Sequence, residues 1–279
     1  MSKPAASSSP KKKLSMRGGA IVVRGVTLFL AAGKGSKSST NNNRSGKGKG
    51  RKKMSDKDAF KCSPKLMEAA KKDTLLNRKE IEGLYKIYKT LITFSKTSSK
   101  VTAKQTSGSS SGIGKQAAVS EGIDRTVFRE VLHNTFDIVT ENTMMDRIFC
   151  VWDKNNCGLI TAENWFRGLS LFLKGSVPDQ IEYCFAVYDL NCDGYITKDE
   201  MFQLLRNCLI KHPQEEDPDE SVKDLVDIVM RKIDKNKDGK ISLEDFQKTV
   251  GEEPLLIEAF GKCLPSEESK ITFLTTLTS

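Results

Sequence analysis

The sequence predicts an all-α protein, four helix–loop–helix units in two pairs, behind a disordered basic N-terminal tail. Three observations predict it. Two twelve-residue segments, 189–200 (DLNCDGYITKDE) and 234–245 (DKNKDGKISLED), set oxygen-bearing side chains at alternate positions before a glycine. Apolar residues recur at helical spacing on both sides of each segment. The charge is split: residues 1–61 hold sixteen Lys or Arg against two Asp, while the remainder carries 29 basic and 34 acidic residues.

In the 189 segment, Asp189, Asn191 and Asp193 fill positions 1, 3 and 5, and Gly194 takes the sharp turn at position 6. Ile196 follows at position 8 and Glu200 closes position 12. This is the pattern of an EF-hand calcium loop. Ca²⁺ is a hard cation that takes roughly six to eight oxygens in a flexible cage. The expected donors are Asp189, Asn191, Asp193, the Tyr195 carbonyl, a water held near Thr197, and both oxygens of Glu200. The second segment places Asp234, Asn236 and Asp238 at positions 1, 3 and 5, Gly239 at 6, Lys240 at 7, Ile241 at 8 and Ser242 at 9. Its position 12 is Asp245, one methylene shorter than glutamate. That predicts weaker Ca²⁺ binding there, or more Mg²⁺ occupancy.

A third segment, 153–164 (DKNNCGLITAEN), keeps Asp153, Asn155, Gly158, Ile160 and Thr161. Position 5 is Cys157, a soft ligand mismatched to a hard ion, and position 12 is Asn164. It reads as a degenerate hand that supports its partner and holds little metal. EF-hands pair through a short β contact at position 8, so a fourth hand is expected. GIDRTVF (122–128) supplies its remnant, with Ile123 at position 8 and Val127 where a glutamate would stand. The preceding 94–121 is rich in Ser, Thr, Gly and Lys, and reads as a flexible insertion that replaced the loop. The domain plan is therefore a tail at 1–62, an N-terminal pair at 63–178, a C-terminal pair with a terminal helix at 179–265, and a second tail at 266–279. The first hand is vestigial and pairs with the 153 hand; the 189 hand pairs with the 234 hand.

Helical periodicity predicts helices over Lys79–Thr93, Asp124–Thr135, Asn142–Trp152, Thr161–Lys174, Gln180–Tyr188, Lys198–Lys211, Ser221–Ile233 and Leu243–Val250. A further helix is expected near Pro254–Cys263, packed in the core or lying as a lid over a groove. Phe166, Phe172, Phe185, Phe202, Val226 and Phe246 are expected core residues. The acidic segment Gln214–Ser221 (QEEDPDES) reads as a solvated linker or as a contact for a basic partner.

The tail lacks the apolar content to bury a core. A basic arm suits polyanions such as nucleic acid, an acidic membrane or a microtubule surface, or serves only as a solubilising extension. The apolar run 20–32 is interrupted by Arg24 and is shorter than the ~18–20 residues a spanning helix needs; no transmembrane segment is expected. No Asp or Glu precedes Asp56, which leaves a transit peptide as an alternative to the preferred cytoplasmic placement. Ser2 after Met1 excludes N-myristoylation. Seven cysteines without a CxxC spacing exclude a zinc site and read mostly as small core residues in a reducing compartment. No phosphate loop, nucleophile elbow or metal-hydrolase motif is present, so no enzyme is expected.

LSLFLKGS (169–176), YCFAVYDLNCDGYITKDEMF (183–202), EEDPDESVKDLVDI (215–228) and EEPLLIEAFGKCLP (252–265) together resemble the calaxin family. The resemblance implies a ciliary or flagellar calcium sensor. Such a protein binds the outer-arm dynein heavy chain or its docking complex on axonemal microtubule doublets, with no nucleic acid partner, and tunes beating in response to Ca²⁺. It also implies a usable loop at 153–164, from which Cys157 and Asn164 depart. The alternatives are a recoverin- or calcineurin-B-like regulatory subunit of an enzyme or channel, and a calcium buffer without a partner.

Overall fold

A computed structural model describes residues 20–23, 26–29, 61–102, 121–206 and 218–278. Most of the tail expected to be disordered (1–62) and most of the 94–121 insertion lie outside the described residues; residues 20–23 and 26–29 depart from that expectation. Within the basic segment, β1 (Ala20–Val23) and β2 (Val26–Phe29) pair antiparallel, Ala20 opposite Phe29.

The rest is helical. α1 (Pro64–Asp73) starts at Ser63, whose hydroxyl accepts the Leu66 N–H at 3.3 Å, with Pro64 pre-set for the first turn. α2 (Arg78–Thr102) runs nine residues past the expected Thr93, into the segment read as an insertion. α3 (Arg125–Phe136), α4 (Asn142–Trp152), α5 (Ala162–Lys174), α6 (Val177–Tyr188), α8 (Pro218–Ile233) and α9 (Leu243–Glu252) fall within a few residues of expectation, while α7 (Lys198–Leu205) ends before the expected Lys211, and residues 207–211 lie outside the described ones. α8 begins at Pro218 inside the expected acidic linker. Proline suits a first turn, and Asp219 and Glu220 there complement the helix dipole.

The position-8 contacts form in both pairs. Ile123 and Ile160 exchange two backbone bonds of 3.0 and 2.9 Å. β3 (Tyr195–Ile196) pairs with β4 (Ile241–Ser242), Ile196 opposite Ile241. All four isoleucines are fully buried, so each bridge closes its pair from inside. The bridge of the N-terminal pair is held further by the Tyr88 hydroxyl, which donates to Glu121 O at 3.1 Å.

One core runs through both pairs. In the N-terminal pair, Trp152 meets Phe128 and Phe172 edge-on, each at 5.0 Å. In the C-terminal pair, Phe246 lies 6.0 Å from Phe185 and 6.1 Å from Tyr188. Phe172 against Tyr183, at 5.6 Å, joins the two. Each fully buried ring contributes roughly 1.5–3 kcal/mol of transfer free energy.

The C-terminal end departs from the sequence reading. The expected helix over Pro254–Cys263 is only a 3-10 turn, Pro254–Glu258. Its chain then turns at Gly261, whose φ of +133° disfavours a side chain. This stretch packs: Phe260 and Cys263 are fully buried, while Leu255 points to solvent at 94 % exposure. Residues expected as a tail instead form α10 (Glu267–Thr278). Phe273 buries against Phe136 at 5.1 Å, so α10 crosses back onto the N-terminal pair. Of the cysteines, Cys184 and Cys263 are core residues as expected and Cys192 is exposed at its loop position; Cys157 is also exposed in its loop and Cys62 is half-buried. Cys150 departs, because an exposed thiol on the face of α4 satisfies the same 3.6-residue periodicity as a buried one. Cys208 falls outside the described residues. No described helix is long and apolar enough to cross a membrane.

Candidate metal centre

The 189 loop leaves α6 at Asp189 and delivers the chain to α7. Gly194 at position 6 has φ +87°, and Cys192 at position 4 is also left-handed at +61°. These two turns fold the side chains of positions 1, 3 and 5 inward. Asp189 accepts the N–H of Asp193 at 3.2 Å on one oxygen and that of Gly194 at 2.9 Å on the other. Asn191 Oδ1 accepts Asp193 N–H at 2.9 Å, and Asp193 Oδ1 accepts Tyr195 N–H at 2.9 Å. Asp189 is buried; Asn191, Cys192 and Asp193 are exposed at the rim.

Glu200 closes the loop with both oxygens. Oε2 accepts the Thr197 N–H at 2.9 Å and its hydroxyl at 2.8 Å, completing the capping box of α7. Oε1 reaches across to the N–H groups of Leu190 (2.9 Å) and Asn191 (3.1 Å). Position 9 of the loop is therefore the helix N-cap, and position 12 is the third helical residue. One glutamate starts the outgoing helix and stands over the cage, with only 4 % of its surface exposed.

The 234 loop repeats this frame. Gly239 has φ +84° and Lys237 +62°. Asp234 accepts the N–H groups of Lys237 (2.7 Å) and Gly239 (2.9 Å). Asn236 Oδ1 accepts Asp238 N–H at 3.0 Å, and Asp238 Oδ1 accepts Lys240 N–H at 3.1 Å. Asp245 Oδ2 accepts the N–H (3.1 Å) and hydroxyl (2.5 Å) of Ser242. It makes no bond across the loop of the kind Glu200 makes, because its carboxylate is one carbon short. The Lys240 ammonium sits 3.3 Å above the Tyr195 ring, joining the loops at position 7.

The 153 loop keeps the turn and loses the ligands. Gly158 has φ +72° and Asn156 +48°. Asp153 still accepts Gly158 N–H at 2.7 Å and Cys157 N–H at 3.1 Å. Cys157, however, turns its thiol to Leu159 O at 3.1 Å. Thr161 caps α5 by accepting Asn164 N–H at 3.4 Å, but Asn164 returns no bond. Its side chain is buried at 2 % exposure with neither amide atom paired. Asn155 is exposed. In the first hand, the Asp124 carboxylate caps α3 and the third helical residue is the fully buried Val127.

The donor sets of the 189 and 234 loops fit a hard cation: each offers three carboxylates, one amide oxygen and one backbone carbonyl. The 153 set does not fit, having one carboxylate and a thiol. Among the described residues, no three Asp, Glu, His or Cys side chains converge in metal-holding geometry. The acidic oxygens are engaged with loop N–H groups, and two ligand positions in each loop belong to an amide and a carbonyl.

One coupling residue was not singled out from the sequence. Arg147, on α4 of the degenerate hand, donates through Nη2 to Ala186 O at 2.8 Å and to Asp189 O at 2.7 Å. It ties the N-terminal pair to the first residue of the 189 loop. The only hint was a cation set inside the apolar helix NTMMDRIFCVW.

Comparison with known proteins adds the family. The EF-hand domain pair profile matches residues 178–250, which contain both intact loops. Calaxin of Xenopus laevis is 45 % identical over 197 residues, covering 71 % of this chain and 85 % of the relative. Calaxin of Homo sapiens is 50 % identical over 162 residues, 58 % of this chain and 76 % of the relative. Calcineurin B of Yarrowia lipolytica (strain CLIB 122 / E 150) is 33 % identical over 114 residues, 40 % of this chain and 64 % of the relative. The chain belongs to the calaxin family.

Proposed function

We propose that this protein is a non-enzymatic calcium sensor of the axoneme of cilia or flagella, present also in the cytoplasm. Its partner is the outer-arm dynein heavy chain or docking complex on microtubule doublets, and it regulates beating in response to Ca²⁺. The observation that carries the sensor reading is Glu200. Its carboxylate stands over the 189 loop, bonded at once to the loop's first half and to the start of α7. Similarity to the calaxins supports the ciliary setting.

Asp189, Asn191, Asp193, the Tyr195 carbonyl, Glu200 and a water near Thr197 would hold Ca²⁺ in the first site. Asp234, Asn236, Asp238, the Lys240 carbonyl, Asp245 and a water near Ser242 would hold Ca²⁺, or Mg²⁺, in the second. When bound, the ion supplies a compact double positive charge that competes with the loop N–H groups for these oxygens. Glu200, which now accepts the Leu190 and Asn191 N–H groups, would be the carboxylate available to such an ion, and as the third residue of α7 it links the loop to the start of that helix. In sensor hands ion binding opens the helix pair and exposes apolar surface. Arg147 would couple any such change to α4, because it donates to Asp189 O.

The test uses the full chain. Tagged protein is localised in a ciliated cell, and then used to capture partners from extracted axonemes with Ca²⁺ or with chelator. Axonemal signal and Ca²⁺-dependent capture of dynein-arm components are expected; cytosolic signal alone with capture of an enzyme would replace this reading. The second reading, a calcineurin-B-like regulatory role toward an enzyme, is favoured by the 33 % identity to the Yarrowia lipolytica protein.

A further inference from the structure

Cys184 lies in α6, five residues before Asp189, and Cys263 lies in the stretch that joins the C-terminal pair to α10. Both are fully buried, and their sulfur atoms are 3.4 Å apart across 79 positions of sequence. The backbone is fixed on each side of the pair. Glu258 accepts the N–H groups of Cys263 (2.9 Å) and Leu264 (2.8 Å). The Tyr188 hydroxyl, one turn along α6 from Cys184, is 2.8 Å from Gly261 O and 3.5 Å from the Cys263 sulfur. Two thiols on separate elements are thus held face to face. A disulfide has an S–S length of about 2.05 Å, so the sulfurs need to approach by about 1.4 Å.

We propose that Cys184 and Cys263 form a thiol–disulfide modification site, oxidised by a peroxide, that tethers α6 to the C-terminal connection. One thiolate attacks a peroxide oxygen; the O–O bond breaks, a sulfenic acid forms and water leaves. The second thiolate attacks the sulfenic sulfur; the S–S bond forms, the S–O bond breaks, and the hydroxide departs as water. The two thiols together lose two electrons and two protons, and the peroxide is reduced to two waters. In a reducing compartment such a bond is transient and regulatory rather than structural. Burial pushes the Cys184 thiol up, which keeps it protonated and slow while the connection stays docked. A movement that lifts the connection away speeds the first step by admitting peroxide, and the S–S bond closes once the connection has docked again. Since α6 ends at Asp189, the tether also restrains the helix that leads into the 189 loop; this consequence rests on the sensor reading above.

The test takes the full chain, blocks its exposed thiols with N-ethylmaleimide under native conditions, and then adds hydrogen peroxide. Digestion and mass spectrometry without reductant should yield one linked peptide pair, Cys184 to Cys263. Dithiothreitol should release it, and Cys184→Ser and Cys263→Ser should each abolish it. Links that join other cysteines, or sulfinic acid at Cys184 without a link, would overturn the site; this readout in the unmutated chain does not depend on either variant folding. A hydrophobic dye then compares oxidised with reduced protein in Ca²⁺. The oxidised form should show at least a twofold smaller Ca²⁺-dependent signal, and an equal signal refutes the restraint on α6. A reduced protein with no dye response would sink the sensor reading, while the linked peptide still judges the modification site.

Discussion

Glu200 and Asp245 hold the same place in two loops that share most of their turn bonds, the Lys237 N–H bond to Asp234 being an addition of the second. Both accept the N–H and hydroxyl of their N-cap residue, Thr197 or Ser242. Only Glu200 reaches on to the N–H groups at positions 2 and 3 of its loop. One methylene separates a residue that starts a helix from one that also closes a cage. The other two hands extend the series: Asn164 keeps the backbone turn but returns no capping bond, and Val127 is core. Across four hands the third helical residue runs Glu, Asp, Asn, Val, and side-chain bonding to the loop falls from four bonds at Glu200 to two at Asp245 and none at Asn164 or Val127. The hand survives as a packing unit long after its chemistry is lost, because its bridge and apolar faces do not use the ligands.

The sharpest way to break the comparison is to remove what both loops share. Phe246 packs between Phe185 and Tyr188 on α6, so Phe246→Ala should cost about 3–5 kcal/mol in urea unfolding. It should weaken both sites together; loss at one loop alone would show that they do not rest on a common core. Next in size is Glu200→Gln. It removes the charge that accepts four bonds, and charged acceptors are worth roughly 1.5–3 kcal/mol each. Calorimetric titration should show the first site weakened by about 30-fold or more; unchanged binding would end the role assigned to Glu200.

Asp245→Glu should do the reverse. With the methylene restored, the carboxylate reaches the Lys235 and Asn236 N–H region, and Ca²⁺ affinity at the second site should rise by about tenfold, ~1.4 kcal/mol. Mg²⁺ affinity should gain less, since Mg²⁺ favours a smaller octahedral shell. Parallel titrations with the two metals decide it. The smallest effect is at the surface, where Lys198 at the start of α7 pairs with Asp227 on α8 at 2.6 Å. The ammonium holds the Asp227 carboxyl below its usual value. A depressed carboxyl stabilises the fold above its unfolded value, and that contribution is lost as pH falls through the folded one. Asp227→Asn should therefore lower stability slightly at neutral pH and leave it unchanged below the folded value, flattening the acid limb, and the effect is small since exposed pairs count for little.

Much of this was legible from residue order. Loop positions 1, 3, 5, 6 and 12 are fixed by spacing, and the bridge partners Ile123, Ile160, Ile196 and Ile241 follow from position 8. The shortfall at Asp245 was legible too, since it depends on the length of one side chain. What escaped has a common cause. α10 (EESKITFLTTLT) is rich in β-branched residues and has no clear apolar face, so nothing local marks it as a helix. It forms because Phe273 finds Phe136 in the N-terminal pair. The helix expected over Pro254–Cys263 stops at Glu258 because that glutamate turns its carboxylate to the N–H groups of Cys263 and Leu264.

Local order thus determined the hands, their pairing and the grading of their loops, because these depend on short-range spacing and on side-chain length. Tertiary structure alone decided the rest. It brought Arg147 to the Asp189 carbonyl, set the Cys184 and Cys263 sulfurs face to face, and folded α10 back onto the first pair. Those contacts join residues tens of positions apart, and a linear pattern carries no record of which distant faces will meet.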